Sequence, residues 1–240
     1  SSRHVTEADW SVVLDGRGPA AYLDMEGLIA AAKAQGCQAI HPGYGFLSES
    51  AAFAQRCADH GLTFIGPAPS VLDALGDKAK ARALAVQCGV PLLPGLNHAV
   101  TLEEAKSFQQ EYGVVMLKAL AGGGGRGMRV VHQAEALADA FERCTGEAQM
   151  AFGSAGLYVE KWLGEARHIE VQVLGDGQHV THLWERDCSL QRRHQKLVEI
   201  APAQGLSETL RAALIDASLT LASALKYRGL GTFEFLVSGE

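Results

Sequence analysis

Apolar and polar positions change period twice along this chain of 240 residues. Between residues 24 and 67 the pattern alternates between helical and strand spacing. Leu28, Ile29 and Ala32 form a helix-like stretch that leads to the short apolar Cys37–Ile40 and the turn His41-Pro42-Gly43-Tyr44-Gly45. A second helix carries Ala51, Phe53, Ala54 and Cys57, and Leu62–Ile65 reads as a buried strand closed by Gly66-Pro67. Strands alternating with helices in this way predict a parallel sheet. Two short helices follow, Val71–Leu75 and Asp77–Cys88, with Asp77 placed as an N-cap and Gly89 as a stop. Pro91 and Pro94 mark a linker and the first candidate domain boundary.

Beyond the linker, Thr101 and Glu104 form a capping box that opens a helix. The strand Val114–Leu120, a glycine run, the strand Met128–His132, a helix over Ala136–Cys144 and the strand Leu157–Leu163 make one unit. Two more strands are expected at His168–Leu174 and His179–Glu185. A long helix from about Ser207 to Tyr227 has Leu210, Ala213, Leu214, Ala217, Leu221 and Leu225 at helical spacing. Thr232–Val237 is the last strand. This half reads as α+β with mainly antiparallel pairing, so the two halves differ in class, and no internal repeat is visible.

Composition narrows the function. An apolar share of 48% with 20% charged residues fits a soluble globular protein, and no apolar run approaches the ~18 residues of a membrane helix. A net charge of −6 argues against a general nucleic-acid binder. The five cysteines are scattered without a CxxC pair, which points to reduced thiols in a cytoplasmic protein rather than to a disulfide framework or zinc site. The N-terminus has no secretory pattern. Both ends read as internal to a longer chain: the first residue is not Met, and the last strand has nothing after it to pair with.

The candidate chemistry begins at Gly122-Gly123-Gly124-Gly125-Arg126-Gly127. Glycine lets backbone N–H groups approach a ligand with no Cβ in the way, and a run of such amides can wrap a phosphate. A P-loop or dinucleotide fingerprint must open a helix, whereas strand residues Met128-Arg129-Val130-Val131 follow here. What remains is a hairpin tip suited to a lid over a triphosphate. Four residues earlier, Lys118 lies in an apolar strand where an unpaired ammonium is costly. It is either an edge-strand lysine reaching solvent or one aimed at nucleotide phosphates.

Alternation places His168, Glu170 and Gln172 on one strand face, either a wet sheet surface or a site. Gln191-Arg192-Arg193-His194-Gln195-Lys196 carries no acid and, unless it is a solvated loop, concentrates donors for oxyanions in an otherwise acidic chain. Glu234 enters a largely apolar strand and needs a cation. Beside an ATP site that cation would be Mg²⁺.

Taken together these residues resemble the biotin carboxylase family. The resemblance runs in family order through His41–Glu49, Phe64–Pro67, Gly76–Lys78, Lys118-Ala119, Gly122–Met128, Glu160-Lys161, Arg167–Gln172, Glu185–Ser189, Gln191–Lys196 and Gly231–Phe235. It implies an α/β and α+β fold, in which a partial Rossmann-like N-terminal domain precedes an ATP-grasp domain incomplete at its C-terminus. The implied divisions are 1–67 for the Rossmann-like remainder and 68–91 for a helical linker. The lid subdomain with the flap would span 92–163, and the first part of the second ATP-grasp subdomain 164–240.

By the same resemblance, Lys78 and Lys118 contact ATP phosphates beneath the flap, whose Gly123, Gly124, Gly125 and Met128 touch the nucleotide. Glu160, Lys161 and Leu163 bond and cover the adenine, and His168 and Gln191 also line the pocket. His194 lies by the phosphates, Lys196 holds bicarbonate and Glu234 ligates Mg²⁺ or Mn²⁺. The implied reaction is attack of bicarbonate on the γ-phosphoryl of ATP to give carboxyphosphate, whose CO₂ passes to carrier-bound biotin. A biotin carboxyl carrier, a carboxyltransferase and a homo-oligomeric full-length protein are the implied partners, with no nucleic acid and no membrane. Phosphoryl transfer relies on positioned cations and metal, which suits this residue set.

Two departures stand out. Ala121 precedes four glycines where some relatives have five. The family's second metal-binding glutamate, its asparagine, its bicarbonate-binding arginine and its proposed general base have no counterpart before residue 240, so this stretch by itself is expected not to turn over. The alternatives are another ATP-grasp ligase, such as a carbamoyl-phosphate synthetase half, and a non-catalytic nucleotide-binding module. The alanine-rich helices hint at a bacterial acyl-CoA carboxylase.

Overall fold

The computed structural model describes residues 3–96, 98–120, 127–192 and 195–239, with the side chains of Lys78 and Phe152 outside the description. The chain divides into two compact units, Ser1–Asp73 and Ala74–Glu240.

In the first unit, α1 (Arg3–Thr6) is followed by α2 (Met25–Ala34), β1 (Ala39–Ile40), α3 (Ala51–Asp59) and β2 (Thr63–Phe64). The Asp24 carboxylate accepts the Gly27 N–H and the Ser50 hydroxyl accepts the Phe53 N–H, each satisfying a donor that a helix start leaves open. Ile29, Leu47, Phe53, Cys57 and Leu62 form the core. β1 and β2 pair in parallel, Ala39 opposite Thr63, but each strand is only two residues long.

α4 (Pro69–Gly76) carries the division, and α5 (Lys78–Gln87) starts where the Asp77 carboxylate accepts the Ala79 and Lys80 N–H groups at 2.8 and 3.1 Å. The second unit continues with α6 (Leu102–Tyr112), β3 (Val115–Ala119), β4 (Met128–Val131), α7 (Leu137–Phe152) and β5 (Leu157–Lys161). Its first sheet has the order β4-β3-β5, antiparallel throughout, with β3 in the centre. Val115, Leu117, Leu137, Cys144, Leu157 and Val159 bury themselves beneath it. The expected helix over Ala136–Cys144 runs on to Phe152, because the buried face continues through Ala148 and the left-handed turn at Gly153, φ 70°, ends it.

The second sheet is built from β6 (Arg167–Asp176), β7 (Val180–Arg192), β8 (Gln195–Ile200) and β9 (Arg228–Val237), with α8 (Glu208–Ala224) packed on β6 and β7. Strand order is β8-β7-β6-β9, antiparallel throughout. The basic run read as a possible loop is largely strand: Gln191 and Arg192 end β7 and Gln195 and Lys196 open β8, a strand not anticipated from the pattern. A bulge sets Leu183 and Trp184 against Gln172 alone, with Trp184 at φ 66°. At the far end β6 and β9 come so close that a Cβ on Gly175 would overlap the Tyr227 carbonyl.

Face assignment follows from register. Glu185 pairs Arg211 of α8 at 3.0 Å and stands opposite Val171, so Ile169, Val171 and Val173 face the helix. His168, Glu170 and Gln172 therefore look out from the other face.

Candidate functional site

On the first sheet, Lys118 occupies the central strand and is no edge lysine. It forms an ion pair with Glu160 of β5, and the two side chains are only 20% and 9% exposed. Glu160 also accepts the Tyr158 hydroxyl at 2.9 Å. Burial, then the Glu160 charge, pushes the Tyr158 phenol well above its ordinary range, so it stays a donor. The cation read as aimed at phosphates thus has a carboxylate partner already in place. Met128 opens β4, and the Ala119 N–H donates to the Gly127 carbonyl at 2.8 Å, closing the base of the glycine hairpin. Gly123, Gly124 and Gly125 lie outside the described residues. Lys161 ends β5 with its N–H on the Pro94 carbonyl at 2.9 Å, and Leu163 follows, half-buried. Lys78 begins α5.

The outward face of the second sheet holds a chain of alternating charges. The Glu170 side chain is 2% exposed, and the residue stands directly opposite Arg186 on one side and Glu234 on the other. Arg186 pairs with Glu170 Oε1 and lies 3.6 Å from Glu199. Lys196 reaches from β8 across β7, bonding Glu170 Oε2 and, at 2.5 Å, Glu234 Oε1. Burial alone would push the Glu170 carboxyl up. The Lys196 bond and the Lys196 and Arg186 charges outweigh it, leaving Glu170 below the usual carboxylate range. Lys196 is likewise held above its ordinary range: burial opposes its charge, and the bonds to Glu170 and Glu234 prevail. Glu234, with His168 and Lys196 beside it, is held down at about 2. Glu170, Lys196 and Glu234 are therefore all charged near neutral pH.

His168 is fixed by its neighbours. Its N–H donates to the Ser189 hydroxyl oxygen at 2.9 Å, and Ser189 is itself held by Asp187. Gln191 Nε2 lies 3.0 Å from the Cys188 carbonyl and 2.6 Å from His168 Nδ1. A carbonyl only accepts, so the amide nitrogen occupies that position and His168 Nδ1 takes its second hydrogen. The imidazole proton then sits on Nε2, 3.6 Å from Glu234 Oε2. His194 lies outside the described residues.

Among the described residues, Glu170, Cys188 and Glu199 bring their donor atoms within 4.8 Å of one another. They do not fit a metal centre: both Glu170 oxygens are taken by cations, and burial, then Glu170, pushes the Cys188 thiol up to about 11. Glu234 fits better, with hard carboxylate oxygens on a half-exposed side chain.

The structure brings Lys196, His168, Gln191 and Glu234 together on one sheet face, and Lys118 and Glu160 together on another sheet. Sequence reasoning missed Glu170 and Arg186 as members of the site. The alternation of β6 already placed Glu170 on the right face; nothing in the sequence showed that Arg186 stands opposite it.

Comparison with known proteins bears on the family and the fold. Residues 1–72 match the family described as biotin carboxylase, N-terminal domain, and residues 77–240 match carbamoyl-phosphate synthase L chain, ATP binding domain. The chain belongs to the biotin carboxylase family. It is 49% identical to the pyruvate carboxylase of Staphylococcus aureus across its whole length, which is 21% of that protein. The biotin carboxylase–βγ-ATP complex from Campylobacter jejuni superposes with a TM-score of 0.94 at 45% identity, over 98% of this chain and 53% of that one. The biotin carboxylase domain dimer of Hydrogenobacter thermophilus 2-oxoglutarate carboxylase, complexed with MgADP, ADP and bicarbonate, gives 0.95 at 43%, again over 98% and 53%. The chain thus spans about a fifth of the pyruvate carboxylase and about half of the biotin carboxylase chains it matches. Its fold is of the ATP-grasp type found in these ATP-dependent ligases.

Proposed function

We propose that this chain supplies the ATP-handling part of a biotin carboxylase, which carboxylates carrier-bound biotin with bicarbonate and ATP through carboxyphosphate. The observation that carries this reading is Lys196. It is a protonated ammonium held by two carboxylates on one sheet face, next to an oriented His168 and a carboxylate suited to a divalent cation. Lys196 offers its remaining N–H to bicarbonate, and Lys78, Lys118 and His194 meet the nucleotide phosphates beneath the Gly122–Gly127 flap. Glu160, Lys161 and Leu163 line the adenine side, with Met128, His168 and Gln191 completing the pocket. Glu234 would hold Mg²⁺ or Mn²⁺, which supplies charge neutralisation on the transferring phosphoryl group.

A carrier domain and a carboxyltransferase complete the cycle in this reading. The dimer of the Hydrogenobacter domain supports a homo-oligomer. The five free cysteines support a reducing, cytoplasmic setting. For the acceptor, likeness to pyruvate carboxylase gives pyruvate more support than the acyl-CoA thioester hinted at by the alanine-rich helices. The test is ATP hydrolysis dependent on both biotin and bicarbonate in the complete natural protein, with Lys196→Met beside it. The reading requires the bicarbonate-dependent rate to fall by about 10²-fold or more, as for loss of a positioned electrostatic donor. An unchanged rate refutes it.

A further inference from the structure

Among the described residues, the charges paired around Lys196 do not balance. Arg186 and Lys196 face Glu170, Glu199 and Glu234, two cations against three carboxylates. Two of the three Lys196 N–H groups are already spent on Glu170 and Glu234. These two partners are not equivalent. Glu170 is 2% exposed and shared with Arg186, so its bond to Lys196 is built into the sheet. Glu234 is 51% exposed on β9, and among the described residues its second oxygen meets His168 Nε2, at 3.6 Å. An oxyanion arriving at Lys196 would meet the Glu234 carboxylate at the same ammonium, and like charges that close repel strongly outside bulk water.

We infer that Glu234 is a latch on Lys196, closed while its own charge is unneutralised and opened when a divalent cation takes up that charge. The inference rests on the proposed role of Lys196 as the bicarbonate holder. It makes Glu234 a positioning residue that orders binding: cation first, oxyanion second. Glu170 keeps the ammonium in place while Glu234 lets go, so Lys196 gains a free N–H without moving off the sheet face. On this account, removing the Glu234 charge helps the oxyanion in the absence of metal, whereas a residue acting only as a metal ligand would leave metal-free oxyanion binding unaffected.

The experiment measures binding of ¹³C-bicarbonate by line broadening to the complete natural protein without nucleotide, with and without Mg²⁺. Proteins compared are the wild type, Glu234→Gln, Glu234→Asp, Lys196→Met and the double variant Glu234→Gln/Lys196→Met. Without Mg²⁺, Glu234→Gln should bind about tenfold or more tightly than wild type, a change of about 1.4 kcal/mol. Glu234→Asp, which keeps the charge, should stay near wild type, and the double variant should lose the gain. Adding Mg²⁺ should tighten the wild type and leave Glu234→Gln unmoved. Metal-free binding by Glu234→Gln that is equal to wild type, weaker or undetectable overturns the latch, while a loss in Lys196→Met would still uphold Lys196 as the holder. If Lys196→Met binds as wild type does under every condition, the reading of Lys196 fails, and the latch with it.

Discussion

Replacing Arg186 by Met tests whether the sheet face is held by its charge chain. The substitution keeps an aliphatic stem and removes the cation opposite Glu170. Glu170, 2% exposed, would retain Lys196 as its one cation among the described residues. Stripping one partner from a buried ion pair costs ~3–5 kcal/mol. Arg186 is 29% exposed and Lys196 stays, so the loss expected here is smaller, about 2–3 kcal/mol. With a urea slope of about 1–3 kcal/mol per molar, the unfolding midpoint should drop by about 1 M.

The sign of the pH dependence is fixed as well. The folded Glu170 carboxyl lies below its ordinary value of 4.5, so the stability it lends is complete above that value and drains away as pH falls. Without Arg186 the folded value rises, and the variant loses that stability at a higher pH than the wild type does. The gap between the two proteins should therefore be widest near neutrality and close in acid, once Glu170 is protonated in both. Arg186→Lys, which keeps the charge but not the planar fork, should fall between them. Urea unfolding followed at pH 7, 5 and 3.5 reads all of this. A midpoint unchanged at neutrality, or a gap that survives acid, refutes the account of Glu170 as a carboxylate kept ionised by Arg186.

Lys118→Met should cost about 3 kcal/mol by stranding the buried Glu160 carboxylate, and adding Glu160→Leu should restore most of it, since an apolar pair of similar volume tolerates burial; thermal unfolding of the two variants decides. Thr101→Ala removes the N–H-aligning hydroxyl of the capping box that starts α6. The Glu104 carboxyl, held at about 2 first by the Thr101 N–H and next by His98, keeps both partners in this variant, so losing the hydroxyl bond should raise it only slightly and leave most of its acid sensitivity in place. Carboxylate chemical shifts followed through an acid titration measure that movement.

What could be read from the chain alone follows from which interactions are local. Helix starts at Asp77, Thr101 and Ser207 were legible because a cap bonds an N–H two or three residues on, within reach of a short sequence pattern. The parallel pairing of Ala39 with Thr63 and the antiparallel second half were legible from strand–helix order. Strand ends were not. β7 continues to Arg192 because β8 returns alongside it, and that partner is a property of the fold rather than of residues 186–192.

The same distinction explains the candidate site. Period-two alternation placed His168 and Glu170 on one face, and the residue types of the basic run named the chemistry. Whether each charge would be free or neutralised depended on pairs separated by 26 and 38 residues, Lys196 with Glu170 and with Glu234, and on register across four strands. Lys118 and Glu234 were both read as groups waiting for a ligand. In the fold both already have protein partners of opposite charge, as a mostly buried lysine in a central strand must. On the proposed reading, a phosphate at Lys118 or a metal at Glu234 would bind by exchanging partners rather than by filling a vacancy, so affinity at either residue would depend on the strength of its resident pair as much as on the ligand's own charge.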